Sequence, residues 1–369
     1  MDLNLWSYLR LLQIKGLGVQ GARKLIDLFE MPSQIFDEIN RHKIKDILKG
    51  NITIYNQIVS ITKDDEKQLK DEIDFMYKND VLYIGIADSD YPYLLKQCFD
   101  APIVLFYKGS MKSCPEKSIA MVGTRKATSY GLNFTQSFIE SIKDYHPLII
   151  SGLALGIDIK AHLVALDNDL YTIAVLGTSF KSIYPKKHTS YSRLIEQKGL
   201  LLSEYPTWFK SVPEHFVRRN RIIAGLSNAI IVVQSAKKGG SLTTALYAND
   251  YNREVYAVPG RVDDTLSEGC MWLIQENRAQ LLLNATDVIS DLNWSNDTKK
   301  DQKINKSIDF TLCTKEEKCI LELLLIRDKM HIDEICLETG IEMNQINGLL
   351  MMLEINGYLK SYPGKLFGL

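Results

Sequence analysis

Six apolar runs decide the fold: Ser118-Ile-Ala-Met-Val-Gly123, Leu148-Ile-Ile-Ser-Gly152, Tyr171-Thr-Ile-Ala-Val-Leu-Gly177, Gly199-Leu-Leu-Leu-Ser-Glu-Tyr205, Ala229-Ile-Ile-Val-Val-Gln-Ser-Ala236 and Glu254-Val-Tyr-Ala-Val-Pro-Gly260. Several are continuous rather than alternating, as expected of a parallel strand covered by helices on both faces. Helical stretches lie between several of them, such as 130–143 and 156–166. Strand, helix and strand in succession predict an α/β protein with an open, doubly wound sheet. Ligands on such sheets bind beyond the carboxyl ends of the strands, where the terminal glycines of these runs fall.

Working outward, four segments appear. Residues 1–80 show helical periodicity, as in Leu9, Leu12 and Leu25, Ile26, Phe29. Residues 81–292 hold the α/β pattern. Residues 293–312 are polar and almost free of large apolar residues until Phe310, and read as a linker. Residues 313–369 read as helix (314–325), helix (332–338), a Thr-Gly turn, helix (343–356) and a hairpin, which is winged-helix order. That tail carries six basic and nine acidic residues, and 342–356 contains no Lys or Arg. A DNA reader needs cations, so the tail is expected to contact protein or to stabilise the fold. The stretch Leu12-Gln-Ile-Lys-Gly-Leu-Gly-Val-Gln-Gly-Ala-Arg-Lys-Leu25 reads as helix–hairpin–helix. Its glycines could approach a nucleic-acid backbone or could simply turn the chain between helices.

The 369 residues predict two or three domains. Lys+Arg is 44 and Asp+Glu is 45, a net charge of −1. That excludes a globally basic DNA coat but not a local basic patch, because binding follows the local field. Six cysteines form no C-x-x-C, so reduced thiols are expected rather than a disulfide frame or a zinc site. The first residues show no basic region followed by an apolar run, and 222–236 is too short and polar to span a bilayer. A cytoplasmic protein without a membrane partner is expected. The six histidines show no metal-ligand spacing, and no H-E-x-x-H, G-x-S-x-G or Walker A sequence occurs. No metal, cofactor or catalytic residue is therefore assigned.

The strand ends carry the chemistry instead. Gly123-Thr124-Arg125 combines a turn, a helix start and a guanidinium fork that suits phosphate; the plainer reading is a βα turn with a solvated Arg. Gly152, Ala154 and Gly156 form a small-residue loop that could nest a phosphate or simply let a helix pack on a strand. Lys186 and Lys187 make a cationic lip. Arg218, Arg219, Asn220 and Arg221 directly precede an apolar segment, which favours a role in binding over a solubility face. Gly240, Ser241 and Thr243 open a helix, where hydroxyls and amides can cap it or hold an anion. Repetition at several strand ends suggests one anion-binding face. Asp158 and Glu204 could be a base or a ribose ligand, or caps and Arg partners. His162 reads as a packed or capping residue.

Taken together, Asp90-Tyr-Pro92, Asp100-Ala-Pro102, Val122-Gly-Thr-Arg125, Ser151-Gly-Leu-Ala-Leu-Gly-Ile-Asp158, Tyr184-Pro185, Arg219-Asn-Arg-Ile-Ile-Ala-Gly225, Gly240-Ser-Leu-Thr-Thr-Ala245 and Pro259-Gly260 resemble the DNA-processing protein A (DprA/Smf) family. The resemblance spans roughly 88–292. Ser151, His188 and Met271 depart from its usual residues. The N-terminal segment resembles the sterile-alpha-motif-like domain of many members. The resemblance implies an extended Rossmann fold that binds single-stranded DNA, protects incoming strands in natural transformation and helps load RecA recombinase, commonly as a homodimer. Arg125, Lys186, Lys187 and the 218–221 cluster would then line a groove, with Tyr184 or Phe216 stacking on bases. The rival is a Rossmann-like nucleotide-phosphoribohydrolase type of enzyme. It would want P-G-G-x-G-T with a following Glu, and Lys238-Gly-Gly-Ser-Leu-Thr-Thr-Ala245 has neither that Pro nor that Glu.

Overall fold

A strand that is almost wholly apolar must be covered on both faces, and along the central strand the side chains divide accordingly. Ala120 and Val122 join one core with Ile222, Ile223, Leu242 and Ala245, while Ile119 and Met121 join another with Phe138, Ile139 and Ala161. The computed structural model describes residues 2–29, 31–48, 50–111, 117–294, 313–327, 329–362 and 364–369. The expected linker lies outside the described residues from 295 onward.

The chain begins with helices α1 (Leu3–Gln13), α2 (Gly18–Asp27), α3 (Arg41–Ile47), α4 (Ile52–Val59) and α5 (Lys63–Lys78). Then follow β1 (Leu82–Gly85), α6 (Tyr93–Lys96), β2 (Val104–Gly109), β3 (Ser118–Val122), α7 (Ser129–Ile142), β4 (Leu148–Ser151), α8 (Ile157–Asp167), β5 (Thr172–Val175) and α9 (Thr189–Lys198). The second half holds β6 (Leu200–Ser203), α10 (Pro213–Gly225), β7 (Ala229–Val232), α11 (Gly240–Asp250), β8 (Glu254–Ala257), α12 (Glu268–Gln275), β9 (Gln280–Leu281) and α13 (Ala285–Asp291). The nine strands lie in the order β1-β2-β6-β5-β4-β3-β7-β8-β9. From β6 to β9 all neighbours are parallel, and β1 and β2 add an antiparallel edge. All six apolar runs are strands of this Rossmann-like sheet. The edge strands β1 and β9 were not among them, since edges bury less: both residues of β9 are exposed. The interior strand β2, paired with β1 and β6 and buried at Val104, Leu105 and Phe106, is likewise absent from the six runs.

The N-terminal helices pack into the core on one sheet face. Arg23 donates to the carbonyls of Cys98 at 2.8 Å and Lys96 at 3.0 Å. A Cβ on Gly85 would lie 2.1 Å from the Tyr8 ring, so β1 needs glycine there. The 16–18 turn uses positive φ at Gly16 and Gly18. Its Lys15 backbone exchanges hydrogen bonds with the Gln57 side chain, which makes it an interhelical turn packed on α4.

The tail forms α14 (Lys315–Arg327), β10 (Lys329–His331), α15 (Ile332–Thr339), α16 (Met343–Ile355), β11 (Lys360–Tyr362) and β12 (Leu366–Gly368), a winged helix with its own small core. It touches the main body where the Gly364 amide donates to the Asn252 carbonyl at 3.0 Å and Tyr93 Oη donates to Glu334 at 3.3 Å.

A buried ionic cluster ties α10 to the loops beneath it. The Arg221 guanidinium donates to Glu204 and, at 2.6 Å, to the Asp100 carbonyl, while Tyr251 Oη donates to the Asp100 carboxylate. Arg221 is therefore corrected from a groove residue to an internal brace. Its carboxylate neighbours raise its pKa against the opposing effect of burial. Removing one partner of a buried pair typically costs about 3–5 kcal/mol. Arg221→Ala should lose stability on that scale in a denaturant titration, and unchanged stability would refute the brace.

Candidate nucleic-acid interface

Beyond β3 the chain winds through β4 and β5 to β6. It then crosses back through α10 to β7 on the other side of β3. The sheet's switch point thus falls between β3 and β7, and a cleft of about 720 Å³ opens there over the strand ends. Its walls are residues 123–126 after β3, the first turns of α10, and the start of α11 with Gly239, Gly240, Ser241 and Thr244. Gln234, just after β7, holds the walls in place. Its carbonyl accepts from the Thr124 amide at 2.7 Å, and its side-chain oxygen accepts from the Thr128 amide at 3.0 Å. Gly131 lacks a side chain where that of Gln234 passes.

Arg219 forms the floor. It is buried, donates to the carbonyls of Gly152 at 2.7 Å and of Val175, and so clamps the ends of β4 and β5. A Cβ on Gly152 would sit 2.4 Å from that guanidinium, so Gly152 is required by Arg219. Burial lowers the Arg219 pKa to about 10 even with Asp158 beside it. The Asp158 carboxylate accepts from the amides of Gly152 at 3.1 Å and Ala154 at 3.4 Å. Burial raises its pKa, while Arg219 and those amides oppose the rise. Of the two readings open for this loop, a phosphate nest or close packing of helix on strand, the amides of Gly152 and Ala154 turn onto Asp158. Gly156 combines φ +81° with a Thr124 O that approaches within 2.2 Å of where a Cβ would be, and each requires glycine.

The rim is different. Arg125 and Lys126 are exposed, and Arg125 makes no side-chain hydrogen bond among the described residues. No side chain caps the amino end of α11, whose N-cap is Gly239. Tyr184 and Phe216 meet edge to face at 5.1 Å between centroids at the mouth. Lys186 and Lys187 are exposed on the short turn that follows Tyr184 and Pro185. His188 is buried, with Nδ1 at 2.8 Å from the Leu153 carbonyl. Of the expected residues, Gly123, Thr124, Arg125, Ala154, Arg219, Asn220, Gly240 and Ser241 line the main cleft, and Gly152 lines a smaller cavity beside it. Arg218, Lys186 and Lys187 are exposed outside the lining. Thr243 is replaced by Thr244, because one helical residue turns the side chain by about 100°. Lys126, Ser211 and Pro213 line the cleft without having stood out in the sequence.

Residues 82–293 match the family of DNA recombination-mediator protein A, and residues 313–365 match the DprA winged helix domain. The chain belongs to the DprA/Smf family. The DNA processing protein DprA of Streptococcus pneumoniae is 39% identical over 210 residues, covering 57% of this chain and 74% of that protein. The X-ray structure of DprA from that organism aligns with a TM-score of 0.67 at 32% identity, over 79% of this chain and 98% of that one. A Helicobacter pylori DNA processing protein A, solved for its single-stranded DNA binding mode, aligns with a TM-score of 0.52 at 30% identity, over 58% and 95%.

Beneath the DprA-type cleft lies His162. Its Nδ1 lies 2.7 Å from Thr172 Oγ1, which itself donates to the Ile149 carbonyl. Nδ1 must therefore carry the hydrogen, and Nε2 is buried without a partner. Burial, with Arg219 and His188 nearby, lowers its pKa to about 3. An unfolded histidine titrates near ~6.5. Between these values the unfolded chain binds a proton that the folded chain refuses. Stability should therefore fall as pH drops below ~6.5, by up to ~1.4 kcal/mol per pH unit from this group. Denaturant titrations at several pH values should show a shallower acid slope in His162→Asn; an unchanged slope would exclude His162 as its source.

Proposed function

We propose that this protein binds single-stranded DNA along the switch-point cleft, without strong sequence preference. The observation that carries the reading is the contrast between floor and rim. Every buried charge near the floor is already matched, whereas Arg125 and Lys126 face solvent beside the uncapped start of α11. Free cations, exposed helix amides and an aromatic pair are what a strand's phosphates and bases engage. The H. pylori relative supports the same ligand class. Lys186, Lys187 and Arg218 would extend the track.

On this reading the protein shields incoming strands and helps load RecA in recombination and natural transformation. It works as a homodimer in the cytoplasm. No helix among the described residues is long and apolar enough to cross a membrane. The functional units are 1–80, 81–292 and 313–369. Binding rather than hydrolysis is also favoured by the cleft's composition. Asp158 is the one carboxylate in its lining, and it is occupied by two backbone amides.

Arg125→Ala should weaken binding of an oligo-dT strand by about 1.5–3 kcal/mol, the range for hydrogen bonds to charged groups, with little change in melting temperature. Arg125→Lys should recover only part, having lost the bidentate fork. The slope of log K against log salt should be about −0.7 per phosphate contacted. Normal binding by Arg125→Ala, a flat salt response or tighter binding to duplex would each refute the cleft. Deleting residues 313–369 should leave strand affinity nearly unchanged, since that module is net acidic; a large loss in a folded truncation would place binding in the tail.

A further inference from the structure

In a winged helix, α16 occupies the position from which a nucleic-acid reader would face its ligand. Here its outward face is apolar over the later turns, after a first turn that exposes Asn344, Gln345 and Asn347. Gly348, Met351, Met352 and Ile355 stand at helical spacing i, i+3, i+4 and i+7, so they form one stripe. Met351 is 63% exposed, Met352 51% and Ile355 67%. A Cβ at Gly348 would meet nothing within 4 Å, which leaves a dent in the stripe open to a visiting side chain. On α15, Leu337 is 83% exposed.

The surrounding charge is predominantly acidic, although Glu338 pairs with Arg327 at 3.1 Å and Lys329 and Lys360 flank the stretch. From Met330 to Leu359 the sequence holds no Lys or Arg, and it holds Asp333, Glu334, Glu338, Glu342 and Glu354. Burial keeps His331 below its ordinary pKa. Glu354 is held on the α16 flank by the Ser361 amide at 2.9 Å. Phosphates would be repelled here, and a second acidic copy of the same face would be too. Methionines suit this role, because their flexible, polarisable side chains adapt to varied apolar surfaces. We propose that the outer face of α16 docks a cationic amphipathic helix of another protein, apolar on one side and Lys- or Arg-rich on the other.

The probe is a Leu/Lys peptide patterned at the helical period, titrated against the full-length chain by fluorescence anisotropy. It should bind, and more weakly as salt rises. Met351→Gln with Ile355→Gln should lose roughly tenfold or more, the worth of about one buried apolar side chain. Glu342→Gln should lose less and flatten the salt dependence. Both variants should keep the parent's melting temperature. Should the double apolar variant melt early, Met352→Gln alone carries the comparison. Oligo-dT binding on the same samples reports on the cleft separately and should not move. Equal binding by parent and apolar variant, or by a scrambled Leu/Lys peptide, overturns the proposal. So does displacement of the peptide by duplex DNA in a manner lost with Met351 and Ile355. Conversion of a dimer to a monomer by the apolar variant in light scattering would overturn it in favour of a second copy.

Discussion

The guanidinium of Arg219 lies where three parts of the sheet domain must meet: the end of β4, the end of β5 and the second turn of α10. A buried cation is tolerated only when its donors and its charge are both answered. Here the carbonyls of Gly152 and Val175 accept from Nη1, Asn220 Oδ1 accepts from Nε, and Asp158 answers the charge. Asp158 in turn gathers the amides of Gly152 and Ala154. Helix α10 is thereby anchored over the carboxyl end of the sheet, and the switch-point cleft has a floor of fixed geometry. Gly152 follows from the same contact, since any side chain there would occupy the guanidinium's place.

One helix thus separates structural from solvent-facing charge by angular phase alone. Arg218, Arg219 and Arg221 lie within four positions, yet Arg218 is exposed, Arg219 turns under β4 and β5, and Arg221 turns toward Glu204 and Asp100. The internal pairs are dry and weakly screened, whereas the exposed cations stay hydrated until a ligand displaces that water. The chain's net charge of −1 conceals this division completely.

How much was legible in the sequence follows from the same physics. Strands β3 to β8 could be read because two-sided burial demands unbroken apolar runs, a constraint that each run carries by itself. Edge strands carry no such demand, so β1 and β9 leave little trace, while the interior strand β2 buries only its first three residues and so shows too short an apolar run to stand out. That Asp158 and Glu204 are Arg partners was one of two open readings, because pairing depends on which helix crosses which strand end. The 151–158 loop advertised a phosphate nest, yet its amides point at a carboxylate six residues along. Only tertiary geometry distinguishes those outcomes. The shift from Thr243 to Thr244 is a rotational detail that no spacing rule resolves.

The winged helix shows the complementary case, in which fold order is plain while the usual chemistry of the fold is absent. Its core positions, such as Ile346, Leu350 and Leu353, satisfy the helical pattern that makes the domain fold. Nothing in that requirement dictates the solvent face, so the face is free to diverge, and it holds Met and Ile where cations would otherwise stand. At physiological salt, charge effects fade over about 8 Å. The acidic surface of α15 and α16 therefore acts on what touches it and leaves the potential at the distant cleft nearly unchanged. Cationic rim and acidic tail can consequently coexist in one near-neutral chain, each with a local field suited to a ligand of opposite sign.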